Sequence, residues 1–261
     1  MSSSALLARS LATALDPVVL ANRAGINPDP WQAKLLRSSA LQLLLLCARQ
    51  AGKSTISALI AVNEALHRAP ALVLLLAPAL RQSQELFRKI KDVLNALGED
   101  VPPITQTSAL SLEFLTGSRI VCLPGSTDAT IRGFSSVALL VVDEAARVPD
   151  PLYQAVRPML AVSGGRIVLL STPFGKRGFF HHEATLGGDE WERAIVTAHQ
   201  CPRIDPRWLE AERGRIGDWW FRQEYLCEFV ETDDQVFAYE SVMGALSDQV
   251  APLFAPEGAA A

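Results

Sequence analysis

Residues 47–55, Cys-Ala-Arg-Gln-Ala-Gly-Lys-Ser-Thr, have the types and spacing of a phosphate cradle. The apolar run Leu41-Gln-Leu-Leu-Leu-Leu46 before them reads as a buried parallel strand, and Ile56–Arg68 after them as a helix stopped by Pro70. In a strand–loop–helix of this kind, loop N–H groups and the positive end of the helix face the anion. Gln50, Ala51, Gly52, Lys53, Ser54 and Thr55 are therefore expected to hold a nucleotide. Lys53 would reach the β- and γ-phosphates, and the Ser54 hydroxyl would ligate Mg²⁺. One position departs from G-x-x-x-x-G-K-[ST]: Cys47 stands where the first glycine is usual. Gly-Lys-Ser alone is a weak signal, and the flanking strand and helix strengthen it.

A second apolar run, Val137-Ala-Leu-Leu-Val-Val142, ends in Asp143-Glu144. Ligands of parallel sheets gather beyond the carboxyl ends of the strands, so both acids are expected at the same edge as Lys53. Asp143 suits the Mg²⁺ shell, and Glu144 suits polarising an attacking water. Alone, the pair reads equally well as an acidic helix start; beside Gly52-Lys53-Ser54 the catalytic reading prevails. A third run, Gly165-Arg-Ile-Val-Leu-Leu170, ends in Ser171-Thr172-Pro173. Hydroxyls there are placed to sense the γ-phosphate or the water; in isolation they would be an ordinary turn before proline.

The remaining pattern supplies the scaffold. Residues 1–22 read as a loosely attached helix ending near Asp16-Pro17, and Asn27-Pro-Asp-Pro30 opens a helix with Asp29 as N-cap. Ala71–Ala77 reads as a second strand. Leu86, Phe87, Ile90, Val93, Leu94 and Leu97 recur at helical spacing up to Gly98. Leu112–Leu115 and Arg119–Leu123 around Thr116-Gly117-Ser118 read as a hairpin. From Asp205-Pro206 a helical segment is expected to break at Gly214 and Gly217, and Phe179-Phe180 and Trp219-Trp220 are expected in the core. This alternation specifies a three-layer α/β fold with a mostly parallel sheet and right-handed crossovers; together with the motifs and the family resemblance set out next, the expectation is a P-loop NTPase core (ASCE/RecA-like) with a small helical lid.

The ordered set of motifs resembles the large terminase subunit, the ATP-driven motor that packages DNA into tailed-phage and herpesvirus heads. The resemblance rests on Arg49-Gln-Ala-Gly-Lys-Ser54, Leu139-Leu-Val-Val-Asp-Glu-Ala-Ala146 and Ser171-Thr-Pro-Phe-Gly-Lys-Arg-Gly-Phe-Phe180. Pro30-Trp31-Gln32 looks like the family's adenine-contacting element, with Gln32 facing the base and Trp31 packing. Ile131-Arg132-Gly133 looks like its arginine finger, and Phe221–Phe229 like the end of its lid. The likeness covers about residues 28 to 237. It implies that Arg132 acts across a subunit interface and that Arg49 neutralises charge on the γ-phosphoryl group. It also implies that Ser171, Thr172 and Pro173 couple hydrolysis to movement. The implied cofactors are ATP and Mg²⁺. The implied partners are double-stranded DNA, a portal protein, a small terminase subunit and further copies in a ring (a pentamer in the family), all in the cytoplasm of a bacterial host.

Composition fits this picture without adding to it. The 261 residues, 49% hydrophobic, can bury one sizeable core. The apolar runs are too short to span a bilayer, and Met1-Ser-Ser-Ser-Ala-Leu-Leu-Ala-Arg lacks a secretion-signal pattern. Cys47, Cys122, Cys201 and Cys227 show no metal-type spacing and are expected to be reduced thiols. A net charge of −4 does not advertise nucleic-acid binding. DNA contacts would have to come from local cations: Lys176 and Arg177, or Arg203, Arg207, Arg213 and Arg215.

The expected organisation is an N-terminal helical extension over 1–27, an ATPase core over 28–200, a lid over 201–232 and a linker or tail over 233–261. A full large terminase continues into an RNase H-like nuclease. About thirty residues after the lid are too few for such a domain, Asp233 and Asp234 fall in the linker, and nuclease activity is expected to be absent. Two other classes remain: a prophage-derived fragment that has lost turnover and serves as an interaction module, and a helicase-like nucleic-acid-dependent ATPase. The first is disfavoured because Lys53, Asp143 and Glu144 are all present, the second because the length offers no second motor domain.

Overall fold

The apolar runs lie side by side in one sheet. The structure, a computed structural model, describes residues 3–125, 133–231, 241 and 244–245. By internal contacts the chain divides into Met1–Val230 and Glu231–Ala261, and the first unit carries the architecture below. Its strands are β1 (Gln42–Cys47), β2 (Leu72–Ala77), β3 (Ile104–Thr107), β4 (Ser111–Phe114), β5 (Arg119–Pro124), β6 (Leu139–Asp143), β7 (Arg166–Ser171) and β8 (Trp191–Val196). They are ordered β3-β4-β5-β2-β6-β7-β1-β8. From β5 to β8 every pairing is parallel, and β3 and β4 extend the edge as antiparallel ribbons. One strand, β7, therefore separates β1 from β6.

The helices are α1 (Ser3–Leu15), α2 (Pro17–Arg23), α3 (Pro30–Leu36), α4 (Lys53–His67), α5 (Leu80–Leu97), α6 (Asp150–Val156), α7 (Gly178–Thr185), α8 (Pro206–Ile216) and α9 (Asp218–Leu226). Side-chain alternation along β1 divides the core. Leu43, Leu45 and Cys47 join a cluster with residues of α2–α5, and Leu44 and Leu46 join one with residues of α6–α9. The central strands are buried on both faces, which is why they read as continuous apolar runs rather than alternating ones. All six apolar positions expected at helical spacing before Gly98 are buried on α5.

Three local expectations need correction, and one strand was not foreseen. The N-terminal segment is more firmly held than its sequence suggests: Asp16 caps α2, whose Leu20 and Ala21 are 1% and 0% exposed. Gly214 does not break a helix, since α8 runs through it to Gly217, whose φ of 81° suits a left-handed stop. Trp220 is 46% exposed instead of core, because it falls on the outer side of α9. The strand β8 goes beyond the sequence expectation. It is an edge strand, half covered, and its sequence Trp-Glu-Arg-Ala-Ile-Val lacks the apolar run of a central one. Among the described residues, no helix is long and apolar enough to cross a membrane.

Candidate functional site

The carboxyl ends of β1, β7 and β6 come level. Leu46 pairs with Ser171 and Asp143 with Leu170, so the phosphate loop, the Ser-Thr-Pro turn and the acidic pair leave the sheet together. In the loop, Gln50 and Gly52 take positive φ, 61° and 97°, which turns the chain into α4 with Gly52 as its N-cap. The backbone angle favours glycine at position 52, and a Cβ there would lie 2.8 Å from Gln32 Nε2 and 3.2 Å from an Arg203 nitrogen, so both side-chain tips would have to move aside. Cys47, in place of the usual first glycine, is the last residue of β1. It is fully buried, and burial pushes its thiol well above the ordinary range.

Lys53 and Glu144 meet. Lys53 Nζ lies 3.7 Å from Glu144 Oε1 and 3.4 Å from the Ala48 carbonyl oxygen, with only 7% of the lysine side chain exposed. Glu144 holds a left-handed conformation, φ 51°, at the head of a short 3-10 turn, and its N–H donates to Asp143 Oδ1 at 3.2 Å. A non-glycine residue in that region is a strained feature of the kind found at functional sites. The Asp143 carboxyl is buried, and its pKa is raised to about 6, first by burial and then by the Glu144 charge. Lys53 and a hydrogen bond from the Ser54 hydroxyl act in the opposite sense.

Ser54 in the first turn of α4 and Asp143 at the end of β6 come to the same edge, which fits a hard divalent cation. A Mg²⁺ ion commonly takes one or two protein oxygens and fills its shell with water and phosphate. No group of three or more His, Cys, Asp or Glu suited to a metal occurs among the described residues, so such an ion would rely on this pair and the nucleotide.

Ser171 is fully buried, and its hydroxyl accepts the N–H of Ala146 at 3.2 Å, tying the Ser-Thr-Pro turn to the residue two beyond Glu144. Thr172 is buried beside it. Gln32 sits under the loop. Its Oε1 accepts the Asp29 N–H at 2.9 Å and its Nε2 donates to the Ala51 carbonyl at 3.4 Å, so the amide braces the loop. Thr55 is half-buried in the first turn of α4. Arg49 projects outward, 64% exposed, with Nη1 3.5 Å from Glu224 Oε2. Lys176 is half-buried and Arg177 exposed, with the Arg177 guanidinium 5.3 Å from the Phe174 ring centre. Arg207, Arg213 and Arg215 are exposed on α8. Arg132, Asp233 and Asp234 lie outside the described residues.

Three residues take positions that the sequence did not announce. Arg203, grouped by sequence with the lid cations, reaches back to the loop. It donates to the Ala51 carbonyl at 2.9 Å and forms a close ion pair, rather than an aligned hydrogen bond, with Asp29 at 2.8 Å. Glu224 and Arg147 pair at 3.8 Å, although 77 residues apart. Only fold closure brings these together; the one local hint is an isolated acid inside Phe-Arg-Gln-Glu-Tyr. Beside Gln50 opens a cavity of ≈ 380 Å³ lined by Arg203, Ile204, Asp205, Trp208 and Tyr225. A larger cavity, ≈ 950 Å³, lies at the opposite end of the strands around Leu41, Gln42 and Phe179. Its Arg157 is already engaged by Glu183 at 2.9 Å, and it holds none of the groups described above.

Residues 44–175, half of the chain, match the family model of the RNA cytidine acetyltransferase NAT10/TcmA helicase domain; the stretch runs from the phosphate-loop strand through the Ser-Thr-Pro turn. The large terminase subunit of Thermus phage G20c is 26% identical in an alignment covering 82% of this chain and 51% of that protein. The chain belongs to this helicase-domain family and is a homologue of the large terminase subunits. Among solved structures, the large terminase ATPase domain of Thermus phage P74-26 superposes with a TM-score of 0.72 at 23% identity, covering 80% of this chain and 97% of that one. The large terminase of another thermophilic bacteriophage, in complex with ATP-γ-S, gives 0.61 at 14% identity, covering 77% and 53%. These likenesses establish the fold class: the chain has the mostly parallel sheet of those domains. The chain spans about half the length of the curated relatives it matches.

Proposed function

We propose that this chain is the ATP-hydrolysing portion of a terminase-type motor that drives double-stranded DNA into a procapsid. The observation that carries the reading is the convergence of Lys53, Ser54, Asp143 and Glu144 at one sheet edge, with Ser171 on the strand between them.

In this reading the loop N–H groups and the α4 terminus bind the phosphates, and Gly52 keeps the backbone close to them. Lys53 turns from Glu144 toward the β- and γ-phosphates. Ser54 and Asp143 would hold Mg²⁺, which would supply charge neutralisation when bound. Glu144, released from Lys53, accepts the proton of the attacking water. Arg49 and, from a neighbouring copy, Arg132 neutralise charge on the γ-phosphoryl oxygens, an effect worth several orders of magnitude where measured. The cavity beside Gln50 receives the nucleoside, with Gln32 supporting the loop beneath it. Ser171, Thr172 and Pro173 transmit the state of the site through the Ser171–Ala146 hydrogen bond. Residues 201–232 form the lid on a core of 28–200, and 1–27 and 233–261 are extension and linker. Lys176 and Arg177 are the candidate DNA contacts, gripping phosphate without reading sequence. Portal protein, small subunit and a homo-oligomeric ring in a bacterial cytoplasm complete the reading, and no nuclease activity is assigned to these residues.

A helicase-like nucleic-acid-dependent ATPase is the second reading, favoured by the helicase-domain match. Steady-state ATP hydrolysis against protein concentration, with and without duplex DNA, tests both. The motor reading expects turnover per chain to rise steeply with concentration and with duplex DNA. It expects near-abolition in Glu144→Gln, and a loss in Arg132→Ala only where chains associate. Stimulation by single strands with duplex unwinding would favour the helicase, and flat, mutation-insensitive background would sink both.

A further inference from the structure

Glu224, buried on α9 with 7% of its side chain exposed, is approached by two arginines, one from the phosphate loop and one from the turn after β6. Arg49 of the phosphate loop lies 3.5 Å from Oε2, and its backbone N–H donates to the Glu224 carbonyl at 2.8 Å. Arg147 lies 3.8 Å from Oε1. The two cations are held differently. Arg49 is 64% exposed and has no other ion-pair partner among the described residues. Arg147 is 36% exposed, its N–H donates to the Glu144 carbonyl at 2.9 Å, and its guanidinium packs 4.2 Å from the centre of the Phe174 ring. One arginine is tethered, the other is free to swing.

If Arg49 serves the γ-phosphate, its side chain must leave Glu224. A buried carboxylate stripped of its counter-charge is strongly unfavourable, so departure of Arg49 would be resisted unless a second cation stays. We propose that Arg147 is a positioning residue that keeps Glu224 paired, so that Arg49 can exchange between this carboxylate and the nucleotide. Arg147 anchors that carboxylate to the turn carrying Glu144 and to Phe174 of the Ser-Thr-Pro segment. Its role in turnover rests on the hydrolysis reading above; the shared pairing does not.

The experiment uses the whole chain with Arg49→Ala, Arg147→Met, the double variant, and each again with Glu224→Gln. Thermal unfolding of the nucleotide-free protein reads the pairing. Each single arginine variant is expected to lower the midpoint little, because the other cation remains. The double variant is expected to lose clearly more than the sum, and Glu224→Gln to erase that excess. Additive losses would overturn the shared pairing. Steady-state kinetics reads the positioning role. Arg147→Met is expected to lower kcat roughly ten-fold with KM for ATP little changed. Arg147→Lys is expected to recover part of the loss, and adding Glu224→Gln to recover most of it. Wild-type kcat in Arg147→Met, or a loss that Glu224→Gln does not relieve, would overturn that role. A wild-type chain without turnover but with the non-additive unfolding pattern would bring down the hydrolysis reading and leave the pairing standing.

Discussion

Lys53 Nζ and Glu144 Oε1 stand 3.7 Å apart, joining the phosphate loop to the acidic strand across β7. Under the proposed function these are the two residues that would face a γ-phosphate, and here each meets the other's charge. A triphosphate bound in that way would part them and free the carboxylate as the anion takes the lysine.

Replacing Glu144 should therefore separate binding from chemistry, and replacing Lys53 should not. Glu144→Gln is expected to retain ATP affinity while turnover falls by about 10²-fold or more, since an amide cannot accept the water's proton. Lys53→Ala is expected to lose both, because the ammonium that meets the phosphates is gone. Nucleotide binding measured beside turnover distinguishes the two, and weak binding by Glu144→Gln would contradict the assignment.

Asp143 gives a pH prediction. Its folded pKa, raised to about 6 from the ordinary 3.8, means the folded chain holds this proton longer than the unfolded one. Stability is then lost as pH rises between those values, and the deficit persists at neutrality. Asp143→Asn should stabilise the nucleotide-free protein at pH 7 by about 1–3 kcal/mol, removing this part of the pH slope while abolishing turnover. Thermal midpoints from pH 4 to pH 7.5 are the check; destabilisation by Asn would be the wrong sign.

Gly52→Ala is expected to cost about 1–2 kcal/mol from the left-handed backbone alone. Its Cβ also meets Gln32 Nε2 at 2.8 Å. The variant should fold, with a lowered midpoint and ATP affinity, whereas Gly214→Ala, where nothing lies within 4 Å and α8 continues, should be neutral or slightly stabilising. Equal effects at the two glycines would remove the steric argument.

Arg203→Ala breaks the tie between Asp29 and the Ala51 carbonyl. We expect KM for ATP to rise about three- to ten-fold with kcat affected less, since the arginine supports the loop and lines the cavity beside it. A kcat loss at constant KM would place it in the chemistry instead.

Much of the site was legible because its signals are local. A loop ending Gly-Lys-Ser between an apolar run and a helix, and two acids at the end of another run, announce themselves within a dozen residues. β8 and Arg203 were not legible for related reasons. An edge strand buries only part of its surface and so carries no continuous apolar run. An arginine with a distant partner looks like any solvated cation until the chain closes. Gln32 shows a third case: the sequence locates it in the first turn of α3, but only packing shows its amide engaged by Asp29 and Ala51.

By itself, the order of the residues determined the buried strands, the phosphate loop, the acids and their shared edge, because burial on both faces and parallel connection leave few arrangements. Tertiary structure alone decided which strand separates β1 from β6, which carboxylate Lys53 meets, and how Glu224 gathers Arg49 and Arg147. Those are contacts between segments far apart in the chain, set by how the sheet orders its strands and how α8 and α9 return to the loop. No local pattern of residue types encodes them.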